Sequence, residues 1–334
     1  MLLASVALVA FGASAAPAVA AREQRYEPGD DPAAINLRLL DIPAARAEDP
    51  RARVYIIDHL KPGATISRRV EVRNDSPATQ KIELYAGAAS VENDAFTVPE
   101  DRTGNELSGW IKLKTATLEL ASGVRDSVAV DIAVPKNASK GERYAAIWAQ
   151  VTSASKQNGN VVQVHRVGIR VYLDIGPGGE PPTDFRIDEL AAERGNGEFP
   201  VVTANVTNTG ERALDMTGRL TLSKGAVQAG PFKVTNGVTI LPGQSGKVRI
   251  DVSQSLPAGA WDVQVLLASG LVERKAEGRI TLPVAAPMEV AKSPRPIWLA
   301  YAVGVAALLV LLVLVGWHLA RRQRTQPTPG RRVR

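Results

Sequence analysis

Outside its terminal apolar segments, this 334-residue chain holds only two histidines, His59 and His165, about a hundred residues apart. No H-x-x-x-H or comparable spacing occurs, so a zinc site would have to be completed by carboxylates. Cysteine is absent, which excludes disulfide frameworks, thiol nucleophiles and thiolate metal ligands together. No Gly-x-Ser-x-Gly elbow presents a serine nucleophile. The carboxylate pairs Glu92/Asp94 and Glu100/Asp101 have the chemistry for acid–base glycan hydrolysis. They sit in Asn- and Pro-containing loop segments, however, where acids are simply solvated. Gly178-Gly179 is followed by neither Lys-Ser/Thr nor a helix, so it is no phosphate loop. Neither a catalytic residue, a metal ligand nor a cofactor is expected.

Binding without chemistry uses exposed aromatic rings or the edge of a sheet. The aromatic candidates in the first half are Tyr55, Tyr85, Trp110, Tyr144 and Trp148. Trp110, beside Ser108-Gly109 in an irregular segment, is the foremost candidate for touching a ligand, followed by Tyr55 and Tyr85. Tyr144 and Trp148 share strand parity and are assigned together to the core.

The elements that must position these residues are strands. Period-two alternation recurs through residues 35–283 in short runs broken by Pro, Gly, Asn and Asp, and long helical periodicity is absent. Val70 and Val72 alternate with charged residues, and Val128, Val130, Ile132 and Val134 with Ala or Asp. Val167, Ile169, Val171, Leu173 and Ile175 form the clearest run. Val162 and Val164 just upstream have the opposite parity, which predicts a bulge or break near His165-Arg166, since otherwise one set of valines would face water. His165 is then a bulge residue rather than a ligand.

Gly176-Pro-Gly-Gly-Glu-Pro-Pro182 has nothing to bury and marks a domain boundary. The two halves repeat loosely. Leu60-Lys-Pro-Gly63 precedes one strand as Leu241-Pro-Gly243 precedes another, both suited to type II turns. Asn74-Asp-Ser76 and Asn208-Thr-Gly210 close strands, and Pro135/Gly141 lead into Tyr144 and Trp148 as Pro257/Gly259 lead into Trp261. The fold class is therefore all-β, with two tandem immunoglobulin-like β-sandwiches at 35–175 and 184–283. A Pro-containing stalk follows at 284–296.

Residues 1–21 read as a signal peptide ending in Ala18-Val19-Ala20. Their basic n-region is missing, which points to a start codon upstream or, failing that, to an unusual signal. Ile297–Leu319 is free of Asp, Glu, Lys and Arg over 23 residues, about 34 Å of helix and enough to span a bilayer. Trp298, Tyr301 and Trp317 are expected at the headgroup boundaries. The tail 320–334 carries Arg321, Arg322, Arg324, Arg331, Arg332 and Arg334 and no acid. These six account for the whole excess of 40 basic over 34 acidic residues, so the positive charge describes an anchor and argues against a nucleic-acid partner. The positive-inside rule puts the tail in the cytoplasm and the β-domains outside a single-pass plasma-membrane anchor.

The stretch from Tyr55 through Asp58, Pro62-Gly63 and the strand ending Asn74-Asp75-Ser76 resembles the WxL-interacting protein family. Agreement continues at Ala88–Phe96, Leu107-Ser-Gly-Trp110, Val134-Pro135 and the Gly141 turn. The resemblance covers roughly residues 35–283. It implies that the first domain resembles a peptidoglycan-binding module and the second a module for wall-associated partner proteins, without catalysis. The expected function is thus a membrane-anchored cell-surface protein that binds peptidoglycan or another cell-wall glycan, wall-associated proteins, or both. A wall hydrolase and a structural spacer without a ligand are the alternatives.

Overall fold

The computed structural model describes residues 34–154, 162–194, 199–235 and 237–283, together with Leu311, Val313–Val315 and Trp317. The expected signal peptide, stalk and arginine tail, with Trp298 and Tyr301, lie outside the described residues. So does most of segment 297–319. Its described residues are helical with exposed side chains and belong to a separate unit from the one that ends at Ala285. Among the described residues no helix is long and apolar enough to cross a membrane.

The unit ending at Ala285 is nearly all strand. The first sandwich uses β1 (Ile35–Leu39), β2 (Ile56–Leu60), β3 (Thr65–Asn74), β4 (Gln80–Ala88), β5 (Ser90–Glu92), β6 (Ala95–Thr97), β7 (Ile111–Leu113), β8 (Thr117–Leu120), β9 (Arg125–Ala133), β10 (Gly141–Ala154) and β11 (Val162–Ile175). One sheet has the order β1-β3-β9-β7 and the other β2-β11-β10-β4-β8. β2 runs parallel to β11. The alternating sets Val70/Val72, Val128/Val130/Ile132/Val134 and Ile169/Val171/Leu173/Ile175 meet between the sheets. Each such side chain contributes about 1.5–3 kcal/mol when fully buried.

In β10 the residues facing that core are Ala145, Ile147, Ala149 and Val151. Tyr144 and Trp148 do share a face, but it is the opposite one, because alternation places them on the other side of the pleat. The expected bulge at His165-Arg166 is also absent. β10 and β11 pair without a break from Gly141↔Ile175 to Ala154↔Val162. Val162 and Val164 therefore stay on the outer face, 63% and 53% exposed.

Local chemistry explains the connections. β5 and β6 join through Asn93 and Asp94, both with positive φ (50° and 58°), as a two-residue hairpin turn of matching twist requires. The short helix α1 (Glu106–Trp110) starts at Asn105, whose side chain accepts from Ser108 N (2.9 Å), while Ser108 Oγ accepts from Asn105 N (2.7 Å). This reciprocal cap satisfies two otherwise orphaned amides.

The second sandwich comprises β12 (Phe185–Arg194), β13 (Pro200–Asn208), β14 (Leu214–Asp215), β15 (Thr217–Lys224), β16 (Val227–Lys233), β17 (Thr239–Ile240), β18 (Ser245–Asp251), β19 (Gly259–Ser269) and β20 (Val272–Leu282). Sheets β12-β13-β18 and β16-β15-β19-β20 enclose a core around Trp261, Val263, Val265 and Leu267. The Trp261 indole is fully buried and donates to Pro257 O (2.8 Å).

The two halves correspond, though not through the turns expected. Asn74 and Asn208 are both buried. Asn74 Nδ2 donates to Ala78 O and Leu120 O, and Asn208 Nδ2 to Arg212 O and Ile240 O, at 2.7–2.8 Å. The Asn74 main chain bonds to the turn at Gly123 and Val124, and that of Asn208 to the turn at Gly243 and Gln244. The partner of Pro242-Gly243 is thus Ser122-Gly123, whose glycine has the same φ (73° against 72°). Leu60–Gly63 instead precedes the strand that ends at Asn74. Its Gly63, at φ 83°, does adopt the positive φ that a type II turn demands.

Replacing Asn74 by alanine takes the side-chain donor from buried Leu120 O and removes the acceptor of Ser76 N and Oγ, and replacing Asn208 takes it from buried Arg212 O and Ile240 O. Each of Asn74→Ala and Asn208→Ala should cost about 3 kcal/mol, read as a lowered urea midpoint of fragment 34–285.

Candidate binding surface and interdomain junction

On the outer face of the five-stranded sheet Trp148 lies flat across its neighbours. A Cβ on Gly168 would come within 2.7 Å of the indole Cε3 and Cζ3, and one on Gly87 within 3.1 Å of Nε1. The bare backbone at these two positions makes room for the ring. Arg166 covers the other side, 4.5 Å above the centroid, and donates to Glu100 O (3.0 Å) and Pro99 O (2.8 Å). Cation–π stacking and charge-assisted hydrogen bonds thereby tie the Pro99–Glu100 loop to the sheet.

The expected ligand-binding aromatics are held in similar ways. Tyr85 donates to Gln150 Oε1 (2.8 Å) under Arg102, and Arg102 is itself paired with Glu83. Trp110 packs against the first core, with Arg143 5.2 Å above its ring. Tyr55 stands 5.7 Å from Tyr172 and beneath Arg170. The structure does not bring these three rings into one site.

Tyr55 belongs to a junction between the sandwiches that sequence reasoning missed. Tyr55, Phe96, Tyr144 and Tyr172 of the first sandwich surround Ile57 and meet Ala213 and Leu241 of the second. Phe96 reaches it on the β5–β6 hairpin, where Asp94 O accepts from Thr239 N (2.8 Å). Outward parity of Tyr144 and Tyr172 was the available signal: aromatics on the face opposite a core need a second packing partner.

Buried charge completes the junction. Arg212 is fully buried and its Nε donates to Glu142 Oε1 (3.2 Å). Glu142 Oε2 accepts from Ala213 N (2.7 Å) and Tyr144 OH (3.0 Å). Asp215 Oδ1 accepts from Tyr172 OH (2.8 Å) and Thr239 Oγ1 (2.9 Å). Arg51 Nη1 donates to Ala213 O (3.1 Å), and Glu180 of the Pro-Gly linker pairs with both Arg46 and Arg212. Burial, then the nearby Glu142 carboxylate, pushes the Tyr144 hydroxyl well above the usual tyrosine range; burial and Asp215 do the same for Tyr172. Burial also raises Asp58, outweighing its partner Arg68.

No protein-family model matches this chain, and no curated protein matches it in sequence. Among solved structures, that of Salmonella enterica SafA pilin in complex with the SafB chaperone aligns at a TM-score of 0.38 and 10% identity, over 75% of this chain and 96% of that one. The E. coli chaperone DraB gives 0.36 and 11%, over 75% and 99%. The CsuC–CsuE chaperone–tip adhesion subunit complex of Acinetobacter baumannii gives 0.36 and 11%, over 69% and 97%. Likeness this low carries no argument about partners, and the all-β sandwich assignment rests on the strand pairing itself.

The structure does join one pair with catalytic chemistry: His59 Nδ1 lies 2.6 Å from Asp174 Oδ2. The other ring nitrogen is buried without a hydrogen-bond partner, so no hydroxyl is placed as the nucleophile a triad needs. A shallow cavity of about 300 Å³ is lined by Arg46, Asp49, Arg51, Glu180 and Ser269. Its carboxylates are engaged, Asp49 by Arg46 (3.1 Å) and by Arg51 N (2.9 Å). Among the described residues no group of three His, Asp or Glu could hold a metal ion.

Glu142→Ala leaves Arg212 buried and uncompensated and should cost about 3–5 kcal/mol. The double replacement Glu142→Met/Arg212→Met should cost clearly less, a coupling that urea unfolding of fragment 34–285 would measure. The raised tyrosines set an alkaline limit. Their contribution is complete below the unfolded tyrosine pKa of about 10 and is lost as pH climbs above it. In an alkaline titration, phenolate absorbance from Tyr144 and Tyr172 should appear only together with loss of near-ultraviolet circular dichroism.

Proposed function

We propose that this protein is a membrane-anchored, non-enzymatic binding protein of the cell surface, holding cell-wall glycan or wall-associated proteins near the membrane. The observation that carries the binding reading is the contrast between its charged groups and its outer arm. The acids lining the cavity are tied to arginines, and among the described residues no hydroxyl partners the free ring nitrogen of the His59–Asp174 pair. Val162 and Val164 stand exposed at the end of a long strand pair, where they serve no core. Exposed apolar side chains on a regular, supported element mark an interaction surface better than a reactive centre.

The cell-surface setting rests on sequence: the apolar segment 297–319 followed by arginines, and the resemblance of residues 35–283 to WxL-interacting proteins. That resemblance supports peptidoglycan as a ligand of the first sandwich. The engaged state of Tyr55, Tyr85 and Trp110 supports protein contacts over sugar stacking.

Fragment 34–285 should pellet saturably with insoluble peptidoglycan if wall glycan is a ligand, and pelleting should survive moderate salt. Failure to pellet, with the fragment shown to be folded, removes glycan from the proposal and leaves protein partners.

A further inference from the structure

In the larger sheet of the second sandwich, Arg219 stands directly opposite Lys233 across the antiparallel pair β15–β16. Their neighbours Leu220 and Phe232 turn into the core, so alternation points both cations outward, and both are exposed. Directly opposed side chains on such a pair have Cβ atoms about 5 Å apart, and like charges so placed repel. On its other side Arg219 faces Leu266, which carries no charge to offset this. Elsewhere on the same face charge is matched: Arg279 pairs with Asp262 (2.9 Å) and Lys275 with Glu277. Among the described residues the side chains of Arg219 and Lys233 have neither an ion pair nor a hydrogen bond.

The pair lies beside a shallow hollow of about 370 Å³, lined by Thr221, Ser223, Gln228, Gln264, Asp262 and Glu277 with buried Val263 beneath. Thr221 is two residues beyond Arg219 on the same face of β15, about 7 Å along the strand. Asp262 and Glu277 are held by Arg279 and Lys275, and Gln264 donates to Glu277 Oε1 (2.9 Å). Among the described residues Thr221, Ser223 and Gln228 make no side-chain hydrogen bond. Two hydroxyls and an amide thus stand ready to donate and accept. The lining includes no aromatic residue, whereas protein interfaces are centred on desolvated apolar and aromatic anchors. Two unpaired cations beside free hydroxyl and amide groups suit a polar anion better. We propose that this face of the second sandwich binds an acidic saccharide, its carboxylate or phosphate lying between Arg219 and Lys233 and its hydroxyls meeting Thr221, Ser223 and Gln228. The bound anion turns a repulsive pair into a compensated one. The inference goes beyond the peptidoglycan reading, which concerns the first sandwich, by naming a second site and its ligand class.

The test is calorimetric titration of the full chain in mild detergent at low salt. Trigalacturonic acid probes for a carboxylate and glucose 6-phosphate for a phosphate, with neutral galactotriose and tetraglutamate as comparisons. At least one acidic saccharide should bind about tenfold more tightly than either comparison. Arg219→Ser and Lys233→Ser should each weaken that binding about tenfold, and Gln228→Ala about threefold. Lys112→Ser, at an exposed lysine of the first sandwich, should leave it unchanged. Without ligand, Lys233→Glu should raise the thermal midpoint by about 2 °C, because it replaces repulsion by attraction. Acidic saccharides that bind no better than galactotriose, or as well to Arg219→Ser as to the parent, overturn the proposal. Tetraglutamate binding equally tightly overturns it in favour of an acidic protein segment. A midpoint for Lys233→Glu at or below that of the parent also overturns it, since the two cations would then not be repelling. Peptidoglycan pelleting that persists in Arg219→Ser/Lys233→Ser reports on the first sandwich alone, so the two readings can fail independently.

Discussion

The junction between the two sandwiches is arranged around one carboxylate taken out of water. Glu142 stands at the start of β10 and accepts hydrogen bonds from Arg212, Ala213 N and Tyr144 at once. Desolvating a charge costs several kcal/mol and is tolerated only when partners surround it. Those partners come from both sandwiches, so the cost is offset only in one relative placement of the two. The aromatic cluster at Tyr172, the β5–β6 hairpin and the linker acid Glu180 all close on the same point. A linker of glycine and proline would by itself allow movement; the buried charges remove it.

Pro50–Arg53 is drawn into the same junction, where Arg51 donates to Ala213 O, and among the described residues β2 pairs with β11 only at Val171–Ile175. The outer face beside it is firm. Trp148 is laid flat over Gly87 and Gly168 and covered by Arg166, which anchors the neighbouring loop.

Much of the fold was legible in the residues. Val128, Val130, Ile132 and Val134 alternate because one face of their strand meets a core, and all four are buried as their spacing implies. Gly63 and Gly243 follow prolines and take the positive φ such turns need. Parity was read correctly for Tyr144 and Trp148, but the face was not, since alternation separates two sides without saying which is inside. The same ambiguity misplaced Val162 and Val164. The expected bulge assumed that every valine seeks a core, and the continuous pairing with β10 shows that these two do not.

Composition and spacing alone determined the all-β class, the absence of cysteine chemistry and the clustering of excess charge in the tail, because these follow from residue type and short-range periodicity. Only the tertiary structure decided which asparagines and turns correspond between the halves. It also brought His59 to Asp174 and Arg212 to Glu142, and placed Tyr55, a candidate for touching a ligand, in the junction together with Phe96. Each of these is a contact between segments separated by tens of residues or more. Such contacts are set by strand order and by the desolvation of buried charge, and neither is written in any local stretch of chain.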